Sequence, residues 1–366
     1  MHTTHESQFI NAFNLISGIG PKNLHKLSHH FNSFEDAWNA SEKEFLSTNL
    51  FPSTIQSILK NRDNIDVEKE WQKCTKENIF LLSILDKNYP KNLKNIPDPP
   101  FCLYVRGNID ILHKSSVAIV GSRKISEYGK NATTALAGGI AEEGITIISG
   151  LALGTDATAH RTALEVQGTT IAILGGGIND TAITPRTNLS LAKDILAQNG
   201  TIISEYPYDT MPNHGTFPTR NRLMAGLSDA VIIIEATKKS GTLITAKYAS
   251  TYKKLLFALP GSIFSDNALG PNTLIQKNVA KPILCSNDVL QLFDKKEKKK
   301  QKNITFTNKN HKMLYEIIAK HPDGIHINHI IKESNMDTNT ISSTLTLLEI
   351  DDLIKNIGNQ IYIVKK

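Results

Sequence analysis

One run of apolar residues near the middle of the chain limits the possible folds of the protein more than any other sequence feature does. Residues 230–235, AVIIIE, place five consecutive apolar side chains before a single carboxylate. A run of this length is typical of a parallel strand that is buried on both faces. The preceding residues predict a helix over 223–227 that opens with Pro218, and Ser240-Gly241-Thr242 predicts the start of the next helix. We therefore expect an α/β unit here.

Similar runs alternate with helical patterns along the neighbouring sequence. They predict an extended Rossmann-like, doubly wound and mainly parallel sheet. Its strands are expected at residues 116–120, 146–149, 170–174, 201–204, 230–235 and 255–259. Open sheets of this kind bind ligands at the rim formed by the carboxyl ends of their strands. The loops that follow the strands are therefore the candidate functional segments.

The segments on either side of residues 230–235 carry groups that suit a phosphate. The backbone N–H groups of Ser240, Gly241 and Thr242 are expected at a helix start, where the helix dipole favours an anion. Arg220 and Arg222 add planar donors that match phosphate oxygens. An anionic ligand is therefore predicted at this rim.

A second loop of the same character follows the first predicted strand. Gly121, Ser122 and Arg123 come directly after residues 116–120, and a glycine at this point lets a ligand approach the main chain. Arg123 taken alone could equally be a surface arginine paired with a carboxylate. Two such loops in one sheet favour a shared anionic ligand.

Phe217 adds an aromatic ring to these cationic loops. A stacking surface beside a cationic groove is the combination with which proteins bind single strands without reading their sequence. Phe217 could also be a core side chain that anchors its loop, and the two roles are compatible. The residues therefore predict single-stranded DNA as the ligand, with little sequence preference.

Composition agrees with a polyanionic partner. The chain has 366 residues, enough for two or three domains, and a net charge of +6. Cys74, Cys102 and Cys285 lie too far apart for a metal-binding spacing, so no metal is expected, and the thiols are predicted to be reduced in a cytoplasmic protein. Residues 175–180 lack the G-x-G-x-x-G frame of a dinucleotide site, so no cofactor is expected either. The start of the chain lacks a signal-peptide pattern, and no apolar run reaches membrane-spanning length. We therefore expect a soluble protein without a membrane partner.

Shorter segments flank the α/β region, which we assign to residues 76–293. Residues 1–75 predict a small helical domain, similar to a SAM or helix-hairpin-helix domain, with a Gly-Ile-Gly-Pro turn at residues 18–21. This turn could offer N–H groups to a DNA phosphate or could simply connect two packed helices. Residues 294–302 are rich in lysine and predict a solvated linker.

Residues 303–366 predict a winged-helix-like domain of three helices and a hairpin. Asp337 is the expected cap of the third helix, whose exposed face carries threonine, serine and asparagine but neither lysine nor arginine. Duplex binding requires neutralised phosphates. This domain is therefore predicted to contact a protein, or to bind DNA weakly, rather than to read a sequence.

Several passages of the α/β region resemble the DprA/Smf family, the DNA-processing proteins of natural transformation. They are VAIVGSR (117–123), SGLALGTDATAH (149–160), TIAILGGGI (170–178), ISEYP (203–207), FPTRNRLMAGLSDAVIIIEA (217–236), SGTLITA (240–246), and LPGSI with GPNTLI (259–263 and 270–275). These passages span about half of the chain in the family's order. The flanking domains also fit one of the family's common architectures.

The resemblance implies a non-enzymatic protein that binds and protects incoming single-stranded DNA in competent cells and loads the RecA recombinase onto it. It also implies a homodimer. Carried over by position, Gly121, Ser122 and Arg123 would hold phosphates, and Phe217 would meet a base. Arg220, Asn221 and Arg222 would line the implied pocket, and His214 stands where many members have a lysine. The residue pattern adds Ser240, Gly241, Thr242 and Lys247 to the predicted pocket.

A nucleotide hydrolase of the phosphoribohydrolase type is the alternative, because related Rossmann-like enzymes place glycine-rich loops at the same rim. Asp156, His160 and Glu235 would then be the acid-base groups. However, Glu235 ends a buried strand, and His160 falls among alanines in a predicted helix. The glycine pair that precedes Gly241-Thr242 in such hydrolases is missing as well. The residues therefore favour binding over catalysis.

Overall fold

The computed structural model describes residues 4–213, 215–293, 306, 308–322, 324–351 and 353–364. The chain forms two compact units, Met1–Lys296 and Glu297–Lys366. His214 and the predicted linker at residues 294–302 lie outside the described residues. No helix in the described ranges is both long and apolar enough to cross a membrane.

The first unit begins with short helices whose starts are fixed by side-chain caps. The Ser33 hydroxyl accepts the N–H of Asp36 at 2.9 Å, and Ser41 forms a reciprocal capping box with Glu44. Such caps satisfy N–H groups that have no partner inside a helix. The helices are α1 (Thr4–Leu15), α2 (Pro21–His30), α3 (Phe34–Asn39), α4 (Glu42–Leu46), α5 (Pro52–Asn61) and α6 (Val67–Lys76).

A large, mostly parallel sheet follows these helices. Its strands are β1 (Ile79–Ser83), β2 (Cys102–Gly107), β3 (Ser116–Val120), β4 (Thr146–Ser149), β5 (Thr170–Ile173), β6 (Thr201–Ser204), β7 (Ala230–Ile233), β8 (Leu255–Ala258) and β9 (Lys281–Pro282). Their order is β1-β2-β6-β5-β4-β3-β7-β8-β9. All pairs from β6 to β9 are parallel, whereas β1 and β2 form an antiparallel edge. The predicted fold class is confirmed.

Helices cover both faces of this sheet. They are α7 (Lys91–Lys94), α8 (Glu127–Glu142), α9 (Thr155–Glu165), α10 (Leu189–Ala197), α11 (Thr216–Leu227), α12 (Thr242–Thr251), α13 (Leu269–Gln276) and α14 (Asn287–Leu290). Every residue of β3 to β7 is buried, because helices lie on each side of these strands. The sequence therefore predicted the six inner strands to within two residues of their observed ends.

The amino-terminal helices share a hydrophobic core with the sheet. Phe34 of α3 meets the ring of Phe101 edge to face, with the ring centroids 5.3 Å apart. The buried hydroxyl of Tyr104 in β2 donates to Asn11 of α1 at 2.7 Å. Residues predicted as a separate domain, 1–75, thus belong to the same compact unit as the sheet.

The second unit has its own core. Its elements are α15 (Lys309–Ala319), β10 (Ile325–His326), α16 (Ile327–Ser334), α17 (Thr338–Ile350), β11 (Ile354–Asn356) and β12 (Ile361–Val364). Asp337 caps α17 by accepting the N–H of Thr340 at 3.0 Å. Leu314, Ile330 and Leu348 are fully buried in this core. The helices and the hairpin lie where the sequence predicts them, and the winged-helix assignment stays a prediction.

Candidate nucleic-acid interface

An open cleft of about 390 Å³ lies where the strand order of the sheet reverses. The chain runs from β3 outward to β6 on one side, and it continues with β7 and β8 on the other side of β3. Loops that leave β3 and β7 therefore diverge, which opens a space at the carboxyl ends of the strands. We call this space the switch-point cleft.

The switch-point cleft brings together residues that lie far apart in the sequence. They come from the loop after β3, from α11 and from the start of α12. The predicted site residues that line it are Gly121, Ser122, Arg123, Phe217, Arg220, Asn221, Ser240, Gly241 and Thr242. Their role in binding stays a prediction, but their proximity is now an observation.

Arg123 and Phe217 form the most accessible part of the cleft. The guanidinium carbon of Arg123 lies 5.1 Å from the centroid of the Phe217 ring, within the range of a cation–π contact. Arg123 is exposed, and Phe217 is partly buried. The Phe217 ring packs closely on Gly175, where an added Cβ would lie only 2.9 Å from the ring. Phe217 therefore both anchors α11 and presents a ring beside a cation.

The loop after β3 is held in place by two neighbouring segments. The carbonyl of Gly121 accepts a hydrogen bond from the Thr242 hydroxyl at 3.0 Å. The N–H of Thr155 donates to the Ser122 carbonyl at 3.2 Å. A Cβ on Gly121 would lie 2.4 Å from the Thr155 hydroxyl. Gly121 is thus required by packing within the protein, whatever ligand approaches it.

Two of the amides predicted to hold an anion already have partners. The N–H of Ser240 donates to the Thr237 carbonyl at 3.0 Å, and the N–H of Thr242 donates to the Ser240 hydroxyl at 3.2 Å. An anion could reach these amides only after the loop rearranged. The expectation that all three amides point to a ligand is therefore wrong for Ser240 and Thr242.

Arg220 lines the cleft, but its guanidinium donates hydrogen bonds to main-chain carbonyls of the protein. Its Nη1 donates to the Gly150 carbonyl at 2.7 Å and also to the Ile173 carbonyl. Burial lowers the pKa of this guanidinium, and the nearby carboxylate of Asp156 opposes that effect. A Cβ on Gly150 would lie 2.3 Å from Nη1, so only glycine leaves room for the guanidinium. Arg220 thus joins the ends of β4 and β5.

The prediction that Arg222 lines the pocket is wrong. Its Nη2 donates to both carboxylate oxygens of Glu205, at 2.5 and 2.6 Å, and its Nη1 donates to the Asp98 carbonyl at 2.7 Å. The reason is the helical phase. The helix α11 begins at Thr216, so positions 220 and 222 both lie within it and face different directions.

Lys247 and His214 complete the predicted site residues. Lys247 lies on α12 beyond the turn that reaches the cleft, and it is exposed beside a separate hollow with Leu274 and Val279. The prediction that it lines the pocket is therefore wrong. His214 lies outside the described residues, so its part in the site stays a prediction.

Four further polar residues that line the cleft were missed by sequence reasoning: Lys124, Thr237, Thr245 and Asn267. Lys124 is exposed at the rim and directly follows Arg123, so this adjacency could have indicated it. Asn267 reaches the cleft from the segment after β8, and its amide donates to the Lys124 carbonyl at 3.1 Å and to Glu235 at 3.2 Å. No sequence pattern pointed to Asn267.

The acid-base groups of the hydrolase alternative do not assemble into one site. Asp156 lines the switch-point cleft and accepts the N–H groups of Gly150 and Ala152 at 3.1 and 3.3 Å. Glu235 lines a different hollow, beside Tyr128 and Pro260, and caps the start of α8. Within the described ranges, no group of three His, Cys, Asp or Glu residues could hold a metal ion.

His160 is buried away from both hollows. Its Nδ1 lies 2.6 Å from the Thr170 hydroxyl, which itself donates to the Ile147 carbonyl. Because burial and the charge of Arg220 disfavour the imidazolium, the pKa of His160 is lowered to about 3. The imidazole is therefore neutral at physiological pH and packs α9 against the sheet.

The family comparison agrees with this architecture. A model of the family described as DNA recombination-mediator protein A matches residues 80–294. The chain belongs to this family. The resemblance to the DprA/Smf proteins is thereby confirmed, and the matched residues include the whole switch-point cleft.

Curated relatives and solved structures of the DprA/Smf family extend the match. Protein Smf of Synechocystis sp. is 39% identical over 292 residues, which cover 78% of this chain and 72% of that protein. DNA processing protein DprA of Bacillus subtilis is 40% identical over 216 residues, covering 59% and 71%. The X-ray structure of DNA processing protein A from Streptococcus pneumoniae superposes with a TM-score of 0.67 at 32% identity, covering 78% of this chain and 97% of that one. A Helicobacter pylori structure concerned with single-stranded DNA binding has a TM-score of 0.53 at 37% identity, covering 59% and 95%.

Substitution of Arg222 and substitution of Arg123 should change the stability of the protein by different amounts. Arg222→Ala leaves the Glu205 carboxylate buried without its partner, so we expect the free energy of unfolding to fall by about 3–5 kcal/mol. Arg123→Ala removes an exposed side chain and should change it by less than about 0.5 kcal/mol. Urea denaturation of both variants and the parent measures this difference. Equal stabilities for Arg222→Ala and the parent would contradict the structural role of the pair.

His160 should make the folded state sensitive to acid. Its pKa falls from 6.5 to about 3 on folding, so its contribution to stability is present above pH 6.5 and is lost as the pH falls towards 3. Replacement by the non-ionising His160→Gln should therefore flatten the dependence of unfolding free energy on pH, by up to about 1.4 kcal/mol per pH unit. Urea denaturation followed from neutral to mildly acidic pH tests this. Parallel curves for parent and variant would show that His160 is not the responsible group.

Proposed function

We propose that the switch-point cleft binds single-stranded DNA and that the protein acts in the processing of DNA during natural transformation. The observation that carries the proposal is the exposed guanidinium of Arg123 held 5.1 Å from the Phe217 ring. An aromatic surface beside a cation accommodates a base and its phosphate together. The Helicobacter pylori relative, whose structure concerns single-stranded DNA binding, supports the same ligand.

The charge of the cleft implies few phosphate contacts. Arg123 and Lys124 are exposed at its rim, whereas Arg220 and Arg222 are bonded within the protein. Each phosphate neutralised on a single strand contributes about −0.7 to the slope of log affinity against log salt. Two cations then predict a slope of about −1.4, shallower than a cleft with all its arginines free would have.

The amides of the cleft favour binding that is independent of sequence. Asn221 donates to the Gly241 carbonyl at 3.2 Å and accepts from Arg220 Nε at 3.3 Å. Asn267 donates to Glu235 and to the Lys124 carbonyl. Reading a base edge requires an amide with free donors and acceptors. Both amides are oriented by bonds within the protein, and stacking on Phe217, which every base can provide, is the main contact that we propose.

We also propose that the protein is not an enzyme, that it works as a homodimer in the cytoplasm, and that it loads a RecA recombinase onto the bound strand. The family description as a recombination mediator supports the step with a recombinase. The separation of Asp156, His160 and Glu235 supports the absence of turnover. Dimerisation and cellular location follow from the family resemblance alone.

Two substitutions should separate charge from stacking in the cleft. Arg123→Ala should make the salt slope shallower by about 0.7 and weaken all sequences alike. Phe217→Ala should weaken binding by about 1–3 kcal/mol with the slope unchanged, because stacking is nearly independent of salt. Fluorescence anisotropy with labelled oligothymidylate at several salt concentrations measures both effects.

Lys247→Ala is the matched control, because it removes an exposed cation from the same α/β region outside the cleft. It should bind like the parent. Circular dichroism should show that all three variants are folded. If Arg123→Ala binds like the parent at every salt concentration, the switch-point cleft is not the DNA site.

The purified protein should release neither base nor phosphate from nucleotides. Glu235 is bonded to Ser126 and Asn267, and it lies in a different hollow from Asp156. Chromatography of nucleoside monophosphates incubated with the protein tests this expectation. Turnover that Glu235→Gln abolishes would establish the hydrolase alternative instead.

A further inference from the structure

A second hollow lies on the amino-terminal helices. It has a volume of about 210 Å³ and is formed by the last turns of α2 and the segment after α4. We call it the α2 hollow. Its lining residues are Lys26, His29, His30, Ser47 and Asn49. All five side chains carry a hydrogen-bond donor, of which the Ser47 hydroxyl donates to the Glu44 carbonyl at 2.6 Å, and none of these lining residues is acidic.

An exposed aromatic ring stands beside the α2 hollow. The ammonium of Lys26 lies 5.1 Å from the centroid of the Phe51 ring and donates to the Asn49 carbonyl at 2.6 Å. Phe51 is 70% exposed although it is a large apolar residue. The carbonyl bond fixes the ammonium against the ring. The pairing repeats, with a lysine, the arrangement of Arg123 and Phe217 in the switch-point cleft.

The remaining donors surround this pair. His29 and His30 are exposed at the end of α2, and His30 Nε2 lies 3.1 Å from the Ser47 hydroxyl. Lys22 is exposed one turn before Lys26, on the same side of the helix. The nearest acidic residue along the chain, Glu44, directs its carboxylate back to the N–H and hydroxyl of Ser41, both at 2.7 Å. The hollow therefore favours an anion.

We propose that the α2 hollow is a second contact surface for the single strand held by the switch-point cleft. A phosphate would accept hydrogen bonds from Lys26 and the two histidines, and a base would stack on Phe51. This inference rests on the proposed function of the cleft. A single strand is favoured over a duplex because the hollow has few cations and its aromatic ring needs an unpaired base.

The test compares oligothymidylates of two lengths, about 6 and about 60 nucleotides, of which only the longer exceeds the span of one binding fold. Lys26→Gln and Phe51→Ala in the full-length chain should each weaken binding of the long strand about tenfold and leave the short strand within about twofold. Lys26→Gln should also make the salt slope for the long strand shallower by about 0.7, whereas Phe51→Ala should not change it.

Matched controls exist on the same unit. Lys60→Gln removes an exposed lysine of α5, and Phe80→Ala removes a partly exposed ring from β1, both outside the α2 hollow. Both should bind the long strand like the parent. If the parent binds but Lys26→Gln and Phe51→Ala match it on the long strand, the α2 hollow is not a strand contact. An equal loss on both lengths also overturns the proposal. A parent that binds neither strand would instead refute the function proposed for the cleft.

Discussion

The buried guanidinium of Arg220 is the contact on which the rim of the sheet depends. It donates to carbonyls at the ends of β4 and β5, and it lies close enough to Asp156 for the two charges to interact. Removing a charge from water costs several kcal/mol unless hydrogen bonds and an opposite charge offset it. Here both do. Because α11 is held at this point, Phe217, one turn earlier on the same helix, reaches Gly175 and Arg123.

This arrangement explains why several glycines occur in the segments at the rim. Gly150 leaves room for the Arg220 guanidinium, Gly175 for the Phe217 ring and Gly121 for Thr155. Gly154, with a φ of +74°, adopts a backbone conformation that is rarely open to other residues, and it packs against the Ser122 carbonyl. A motif search interprets such glycines as places where a ligand meets the main chain. In this protein they are first the places where its own side chains meet the main chain.

The sequence predicted the buried part of the fold better than its edges. The inner strands have continuous apolar runs because both of their faces are covered, whereas β1 and β2 precede the β-α alternation and leave Phe80 partly exposed. Pro218 correctly indicated the start of α11, but the helical body was predicted only over 223–227, whereas α11 already begins at Thr216. Arg222 was placed in the cleft because of its guanidinium and the family resemblance, neither of which specifies the side of α11 on which a residue lies. Internal bonding of the Ser240 and Thr242 amides depends on loop geometry, which no periodicity encodes.

The Arg222–Glu205 pair also constrains which substitutions the protein can accept during evolution. Arg222 also donates to the carbonyl of Asp98, which lies between α7 and β2 and whose carboxylate accepts a hydrogen bond from the Tyr252 hydroxyl. Four segments of the chain are thereby joined around one buried charge. Substitution of either residue alone leaves the charge of the other buried and unpaired, which is strongly destabilising. Single substitutions at these two positions are therefore not neutral. Among descendants of this sequence, Arg222 and Glu205 are expected to persist together or to be replaced together.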